Sequence, residues 1–259
     1  SFGPTKDTWG VYVHSSYVTI SNCTITRCNV GLLVHGLILP SITGCNISDN
    51  YDRGIWCMYS TPMIANNRLE NNSYGIFVEE SPGPVLVNND LFANRREALA
   101  MDGNSSVVEW SIDRATAWTN STLFLRGNLT VQPGGSLLMQ DSMLELASPA
   151  GSRVSVLVRP GGTLDLENST VCSASGKDNG NYAFIVEGGG ALTLEGSAVH
   201  DAGYDGGDPR LGGLYVGSDA VINGSDLTGN LVSLVCQNSM VQVSNTSLGK
   251  SVADLWLGN

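Results

Sequence analysis

The chain has 259 residues, of which 31 are Gly and only 14% are charged, and its formal net charge is −11. A negative charge of this size argues against nucleic-acid binding, because phosphate contacts require clusters of basic residues. No apolar run approaches the roughly 20 residues that a membrane-spanning helix needs. Runs of the residue types that favour long helices are also missing. We therefore expect a protein of strands and turns, with neither a nucleic-acid partner nor a membrane span.

A pattern of two apolar residues separated by four other positions recurs along the chain. The pairs are Ile20/Ile25, Ile42/Ile47, Ile64/Leu69, Leu86/Leu91, Val107/Ile112, Met139/Leu144, Leu166/Val171, Leu194/Val199, Ile222/Leu227 and Val243/Leu248. A period of about 22 residues, rising to about 28 in later cycles, is typical of a coil that stacks on itself. The repeat predicts an all-β fold, a single solenoid of about ten turns.

Two positions after the first member of each pair, the residue is most often Asn or Gly. This column contains Asn22, Gly44, Asn66, Asn88, Glu109, Asp141, Asn168, Gly196, Gly224 and Asn245. Asn and Gly are the residues that most readily adopt a positive φ. The column therefore predicts a tight corner that is repeated in every turn of the coil.

The first four cycles begin with short strands at residues 10–13, 31–34, 54–57 and 75–78. Side chains alternate across a strand, so every second residue points to the same side. We expect the inward set to be Val11, Val13, Leu32, Val34, Ile55, Cys57, Ile76 and Val78. Parallel strands stacked about 4.8 Å apart would then place like residues in columns along the core.

The later cycles carry Pro-Gly-Gly or Gly-Gly-Gly after a strand, as at residues 133–135, 160–162 and 188–190. These sequences mark sharp turns. Residues 179–181 and 205–208 would be looped-out excursions that lengthen the period. The organisation predicted is one domain over residues 1–259, with regular turns in 1–122 and longer loops in 123–259.

The combination of G-[VIL]-x-V and I-x-[NG]-x-x-[IL] over roughly residues 10–250 resembles the right-handed parallel β-helix repeat family. That superfold includes pectin-lyase-like enzymes and NosD-like carbohydrate-binding surface proteins. The resemblance implies a right-handed solenoid. It implies no single function, because one scaffold supports many unrelated sites.

Catalytic motifs of the polysaccharide-cleaving members of the superfold are absent as sets. The strongest remaining candidate is the loop with Asp201, Asp205, Asp208 and Arg210. Three carboxylates beside an arginine would suit Ca²⁺ binding or acid–base work. The alternative is a solvated Gly/Asp turn, which is the commoner occurrence. We favour the turn, and we expect neither a resident metal nor a cofactor.

His14 and His35 follow equivalent strands, one turn apart. Two imidazoles about 4.8 Å apart would be close enough to share a metal ion. The column continues as Met58 and Glu79, however, and supplies no third ligand of the same kind. A pair of neighbouring histidines without a metal is the favoured interpretation.

The outward neighbours in the first four strands are Tyr12, Leu33, Trp56 and Phe77. Four large apolar side chains in a row on the outside of a coil would form a strip that suits contact with another protein or stacking against sugars. The remaining alternatives are a slipped inward/outward assignment and cover by the N-terminal segment. Contact with another protein is our preferred interpretation.

Six cysteines occur in the chain. Cys23 and Cys45 occupy the same repeat position on adjacent turns, which is within disulfide range. Cys28 and Cys172 lie near loops and are candidates for bonds between molecules, whereas Cys57 and Cys236 fit the core.

Asn-x-Ser/Thr sequons are more frequent than the composition predicts, which suits an exported, glycosylated surface protein. Three of them, at Asn22, Asn168 and Asn245, belong to the corner column and reflect the repeat. The glycosylation candidates are Asn46, Asn71, Asn104, Asn120, Asn128 and Asn223.

Two functions fit these features. The first is a non-catalytic structural protein of the cell envelope, outside the cell, that stacks end to end and laterally into a homo-polymer. Its ends show no amphipathic capping helix, and residues 252–259 include the apolar Leu255 and Leu257. Such chains resemble archaeal sheath or surface-layer proteins. The alternative is a carbohydrate-binding module or a polysaccharide-cleaving enzyme.

Overall fold

A computed structural model describes residues 8–14, 17–36, 39–81, 83–102, 107–149, 152–174, 181–204 and 207–258. The chain divides into two compact units. Unit 1 contains residues 1–110 and 117–126, and unit 2 contains residues 111–116 and 127–259. Both units are built from short parallel strands.

The strands up to residue 125 follow each other at short intervals, three to a turn of the coil. They are β1 (Trp9–His14), β2 (Thr19–Ser21), β3 (Thr24–Thr26), β4 (Val30–His35), β5 (Ser41–Thr43), β6 (Asn46–Ser48), β7 (Arg53–Met58), β8 (Met63–Ala65), β9 (Arg68–Glu70), β10 (Tyr74–Glu79), β11 (Val85–Val87), β12 (Asp90–Phe92), β13 (Glu97–Met101), β14 (Val108–Ile112), β15 (Ala115–Thr119) and β16 (Thr122–Leu125).

The strands after residue 126 continue the same order. They are β17 (Gly127–Val131), β18 (Ser136–Gln140), β19 (Met143–Leu146), β20 (Ser155–Val158), β21 (Thr163–Glu167), β22 (Thr170–Ser173), β23 (Ala183–Val186), β24 (Ala191–Glu195), β25 (Ala198–Val199), β26 (Gly213–Val216), β27 (Ala220–Asn223), β28 (Val232–Gln237), β29 (Val241–Ser244) and β30 (Ala253–Gly258).

In unit 1, every third strand along the chain is a neighbour in the same sheet. One sheet has the order β1-β4-β7-β10-β13-β16, the second has β2-β5-β8-β11, and the third has β3-β6-β9-β12. All recorded pairs are parallel and in register, so that Val13, Val34 and Cys57 stand side by side. The columns predicted from the sequence are therefore present.

In unit 2, the parallel neighbours are three strands apart along the chain as far as β26 and β27, and two strands apart after them. The orders of the stacks are β17-β20-β23-β26-β28-β30, β18-β21-β24-β27-β29 and β19-β22-β25. Gly134, Gly161 and Gly189 have φ values of 81°, 78° and 89°. The Gly-rich turns predicted after the strands are confirmed at these positions.

The inward set predicted for the first four strands forms the core of unit 1. From Val13 to Val78 its members are at most 4% exposed, and Val11 in the first strand is half-buried. The corner column is confirmed as well, with φ values between 48° and 65° for its Asn, Asp and Gly members. Glu109 is the exception, because it lies inside β14. Val107, the first member of the same repeat pair, is 36% exposed. The repeat pair Val107/Ile112 was therefore wrong.

Buried asparagines hold successive coils of unit 1 together, a feature that the sequence analysis missed. Asn72 accepts a hydrogen bond at Oδ1 from the backbone N–H of Asn50 at 3.1 Å. Its own backbone N–H donates to Asn94 Oδ1 at 3.1 Å, and its side-chain amide donates to the Ile47 carbonyl at 2.9 Å. Each side chain in this ladder satisfies polar groups of neighbouring coils that are shielded from water.

A second ladder begins with a cysteine. The backbone N–H of Cys45 donates to Asn67 Oδ1 at 2.9 Å, and that of Asn67 donates to Asn89 Oδ1 at 3.1 Å. In unit 2, serine hydroxyls accept the equivalent hydrogen bonds. The backbone N–H of Ser142 donates to Ser169 Oγ, and the backbone N–H of Ser169 donates to Ser197 Oγ, both at 3.1 Å. Small polar residues therefore line the corner in both units.

The fold class is confirmed as all-β and parallel. The described residues also include a short 3₁₀ turn at Pro209–Leu211. Pro at the first helical position and the Asp208 side chain, which accepts from the Arg210 N–H, favour this turn. None of the described residues forms a helix with the length and apolarity needed to cross a bilayer. The organisation as one domain over residues 1–259 stays a prediction.

Candidate functional site

The outer face of the sheet formed by β1, β4, β7 and β10 carries the row of side chains singled out in the sequence. Parallel pairing places Tyr12 beside Leu33, Leu33 beside Trp56, and Trp56 beside Phe77. We call this row, together with Trp9, the outer aromatic face. Its alignment follows from the in-register pairing of the inward residues, because a strand's two faces are fixed together.

The exposure of the row differs from the prediction of four exposed side chains. Tyr12 is 48% exposed and Trp9 is 45% exposed, and their ring centroids are 5.2 Å apart. Leu33 is only 6% exposed, because larger aromatic residues flank it on both neighbouring strands. The prediction of a continuous exposed strip is therefore wrong at Leu33. The role of the strip as an interface stays a prediction.

Trp56 and Phe77 are half-buried because an arginine covers them. The Arg53 guanidinium carbon lies 4.1 Å from the centroid of the Trp56 ring and 4.4 Å from that of Phe77. Arg53 Nη1 forms an ion pair with the carboxylate of the neighbouring Asp52. The indole N–H of Trp56 donates to Glu79 at 2.8 Å. Cation–π packing of this kind removes apolar area from water without burying an unpaired charge.

The two histidines are neighbours, as predicted. The ring centroids of His14 and His35 are 5.1 Å apart. The Tyr12 hydroxyl lies 3.5 Å from His35 Nδ1, and the Tyr59 ring contacts His35 edge-on at 5.9 Å. A hydrogen bond to Glu80 raises the pKa of the Tyr59 hydroxyl above its ordinary value. Within the described ranges, no three His, Cys, Asp or Glu side chains come together as a metal site.

All six cysteines are free thiols in this structure. Of the two arrangements expected for Cys23 and Cys45, a disulfide or stacking in one column, the structure has the stacked column. The Asn46 N–H donates to the Cys23 carbonyl at 2.9 Å, and the Cys45 thiol donates to the Thr43 carbonyl at 3.5 Å. Burial raises the pKa of the Cys45 thiol, because the charged thiolate would lose hydration. Cross-linking of this pair stays a prediction.

The remaining thiols differ in their access to solvent. Cys57 and Cys236 are buried, as expected of core residues, and burial raises the pKa of both. Cys28 and Cys172, the candidates for links between molecules, are partly exposed. Burial, helped by Glu145 and Asp201, raises the pKa of Cys172 to about 11. A thiol with so high a pKa is a slow nucleophile at neutral pH.

In the acidic loop of unit 2, two of the charged side chains pair with each other. Arg210 pairs with Asp208 at 2.9 Å, and this contact lowers the pKa of the Asp208 carboxyl. Asp201 is exposed, with φ of 62°, and Asp205 lies outside the described residues. An Asp208 that stays ionised and paired suits a structural turn better than a general acid.

Next to this loop, unit 2 has a pocket of about 190 Å³. Its walls include Tyr204, Pro209, Val235 and Trp256. The Tyr204 hydroxyl is held by the backbone N–H of Val154 at 3.0 Å. The lining is mainly apolar. Tyr204 belongs to the loop that the sequence singled out, whereas Trp256 is distant from that loop in the sequence.

The sequon asparagines fall into two groups. Asn46, Asn71 and Asn120 are exposed. Asn128 and Asn223 are half-buried and bonded to neighbouring coils: Asn128 Oδ1 accepts from the Ser155 N–H at 2.9 Å, and Asn223 Nδ2 donates to Glu195 at 3.0 Å. Asn104 lies outside the described residues. Glycosylation of the exposed group stays a prediction.

The edge formed by β29 and β30 exposes side chains that belong to core columns. Leu255 stands beside Leu234, and Leu257 stands beside Cys236. Leu234 is 1% exposed, whereas Leu255 and Leu257 are 48% and 71% exposed. In β29, Val243 stands beside the fully buried Ile222 and is 42% exposed. We call this surface the β29–β30 edge.

Comparison with known proteins supports the architecture. Residues 7–113 match the family model described as the right handed beta helix region, which is less than half of the chain. No curated protein matches the chain. A solved structure, the crystal structure of a TibC-catalyzed hyper-glycosylated TibA fragment, aligns over 97% of this chain and 98% of its own, with 9% identity and a TM-score of 0.20. A likeness of that size carries no argument. The family match and the parallel sheets agree on a right-handed β-helix.

Proposed function

We propose that this right-handed β-helix protein is a non-catalytic structural component of a cell surface, outside the cell, that assembles with copies of itself into a sheath, layer or filament. The observation that carries the proposal is the β29–β30 edge. Its apolar side chains occupy positions that are core positions one coil earlier, so the surface has the composition of a protein interior.

The β29–β30 edge is matched by the strands at the other end of the chain. Among the described residues, β30 pairs only with β28 and β29 only with β27, while β2 pairs only with β5 and β3 only with β6. Each of these four strands presents backbone N–H and C=O groups along one side. Docking of β2 and β3 of one copy on β30 and β29 of another would continue the parallel pairing between molecules.

The energetics favour such a contact. Each new hydrogen bond contributes a net stabilisation of about 1 kcal/mol, and burial of apolar surface adds roughly 25 cal/mol per Å². The two surfaces are unequal, however. Val13 and Ile25 in the first coil are 4% and 6% exposed, so the apolar contribution comes mainly from Leu255, Leu257 and Val243. A contact between unlike surfaces repeats from copy to copy, and it gives a ring if the rotation closes and a filament if it does not.

The test is the size of the protein in solution when the β29–β30 edge is charged. Leu255→Lys combined with Leu257→Lys should convert an assembling protein into a monomer of 27.3 kDa, measured by sedimentation velocity and electron microscopy. The matched control is Val221→Lys, because Val221 is 41% exposed on β27 but does not occupy a core column. Assembly by the double variant as efficient as that of the parent, or a monomeric parent, would refute the proposal.

A second candidate function is binding of carbohydrate by the outer aromatic face. The observation in its favour is the exposed ring pair of Trp9 and Tyr12, since flat apolar rings with polar edges suit the faces of sugars. Sugar binding can be tested by titration with oligosaccharides, followed by Trp fluorescence. The variants to compare with the parent are Trp9→Ala and Tyr12→Ala. Unchanged binding in both variants would exclude the face as the site.

A further inference from the structure

A cleft at a corner of unit 1 collects positive charge in a protein whose net charge is −11. It has a volume of about 440 Å³ and is lined by Tyr51, Asp52, Ser73, Arg95 and Arg96. This volume is within the range of pockets that hold small ligands. The lining residues come from three successive cycles of the repeat, which is why the sequence pattern did not bring them together.

Arg95 is held in place by neutral acceptors. Its Nη2 donates to the carbonyl oxygens of Asn50 at 2.8 Å and Tyr51 at 2.9 Å. These bonds fix the guanidinium across two coils, but carbonyl groups do not neutralise its charge. The side chain stays exposed at the cleft.

Arg96 is oriented by an aromatic residue. Its Nη1 donates to the Tyr74 hydroxyl at 3.1 Å, and its guanidinium carbon lies 5.6 Å from the centroid of the Tyr74 ring. The carboxylate of Asp52, which also lines the cleft, is paired with Arg53. Two exposed guanidinium groups therefore face the same cleft in fixed positions, while its acidic residue already has a cationic partner.

We propose that this cleft binds an oxyanion, the carboxylate or phosphate group of a small ligand. Guanidinium groups donate paired, parallel hydrogen bonds that match the geometry of carboxylates and phosphates. Fixed donors bind more tightly than mobile ones, because less side-chain entropy is lost. The Ser73 hydroxyl and the ring of Tyr51, which is 68% exposed, border the cleft and are available to the rest of a ligand.

The inference goes beyond assembly and does not depend on it. The same chemistry fits a free anion and an anionic group carried by a sugar. The first arm of the test therefore uses inorganic phosphate and acetate, and the second uses glucose 6-phosphate and glucuronate. Glucose is the neutral comparison.

Binding is measured by isothermal titration calorimetry at low salt, and repeated at high salt. We expect at least one anion to bind and glucose not to bind, with weaker binding at high salt because charges at the surface are screened. Tightest binding in the first arm identifies a free anion as the source, and tightest binding in the second identifies an anionic sugar. Equal binding of glucose, or no binding of any anion, would overturn the proposal.

The variant Arg96→Gln should weaken anion binding by roughly 10-fold or more, the effect of one charge-assisted hydrogen bond. Tyr74→Phe removes the group that orients Arg96 and should weaken binding less. Arg68→Gln is the matched control, because it removes the same charge from unit 1, and Arg68 pairs with Glu70 outside the cleft. Anion affinity that is equal in the Arg96 and Arg68 variants would overturn the assignment.

Arg95 also has a structural role in joining two coils, so its variant needs two measurements. Arg95→Lys keeps the charge but loses the paired donors. We expect the midpoint of thermal unfolding to change little and anion affinity to fall by several-fold. An Arg95→Lys protein that remains folded and binds anions like the parent would contradict the participation of Arg95.

Discussion

Trp110 and Trp118 contact each other inside unit 1, with ring centroids 4.7 Å apart and ring planes inclined by 56°. Both are at most 1% exposed. The Trp118 indole N–H donates to the Asn89 carbonyl at 3.0 Å, whereas the Trp110 indole N–H is buried and has no recorded partner. The indole N–H is therefore satisfied in one of these two neighbouring tryptophans and not in the other.

That difference predicts unequal effects of the same substitution. Trp118→Phe should lower the free energy of unfolding by roughly 1–2 kcal/mol more than Trp110→Phe, because only Trp118 loses a satisfied donor. Chemical denaturation of the two variants measures the difference. Equal losses would show that the indole hydrogen bond contributes nothing to stability.

The asparagine ladder predicts a larger loss. Asn72→Ala leaves the Asn50 N–H without its acceptor in a buried corner and should reduce the free energy of unfolding by about 2–4 kcal/mol. Asn46→Ala is the control, since Asn46 is exposed, and its effect should stay within about 0.5 kcal/mol. A ladder without structural importance would give two similar variants.

The neighbouring thiols of Cys23 and Cys45 predict a specific cross-link. Incubation with glutathione disulfide should join their sulfurs with loss of two protons, while the oxidant is reduced to two glutathione thiols. Peptide mapping without reductant should find this pair, and Cys23→Ser should abolish it. Recovery of both thiols unoxidised, under conditions that oxidise an exposed model dithiol, would contradict the prediction.

The buried cysteine predicts the opposite behaviour. Cys57 is fully buried and burial raises the pKa of its thiol, so iodoacetamide at mildly alkaline pH should not modify it in the folded protein. Modification should appear once the protein is unfolded in denaturant. Rapid labelling of Cys57 under native conditions would show that the core of unit 1 opens easily.

The pair of Asp208 and Arg210 predicts a pH dependence at the 3₁₀ turn. Because Arg210 lowers the pKa of the Asp208 carboxyl, this contact stabilises the turn above the ordinary pKa of Asp and is lost as pH falls through the lowered value. Titration of the Asp208 side-chain carbon by NMR should give a lower pKa in the parent than in Arg210→Gln. A pKa that does not change with this substitution would exclude the ion pair in solution.

The sequence alone was sufficient for features that repeat within one coil. The corner at Asn66 and the inward side chains of Ile55 and Ile76 follow from alternation along a strand and from the preference of Asn for positive φ. These rules act within one coil, so their effects can be recognised in a sequence pattern that repeats over many cycles. The misplaced corner at Glu109 falls where the regular 22-residue spacing ends and the pattern loses its register.

Contacts between coils required the tertiary structure. Leu33 is buried by residues of the strands before and after its own, Arg53 lies over rings from two coils, and Arg95 reaches carbonyl groups more than 40 positions earlier in the chain. The sequence contains these residues but does not show which of them contact each other across neighbouring coils. The sequence thus determined the parallel β-coil and its core, whereas only stacking decided which outer side chains are covered, paired or left exposed, because burial depends on the neighbouring coil.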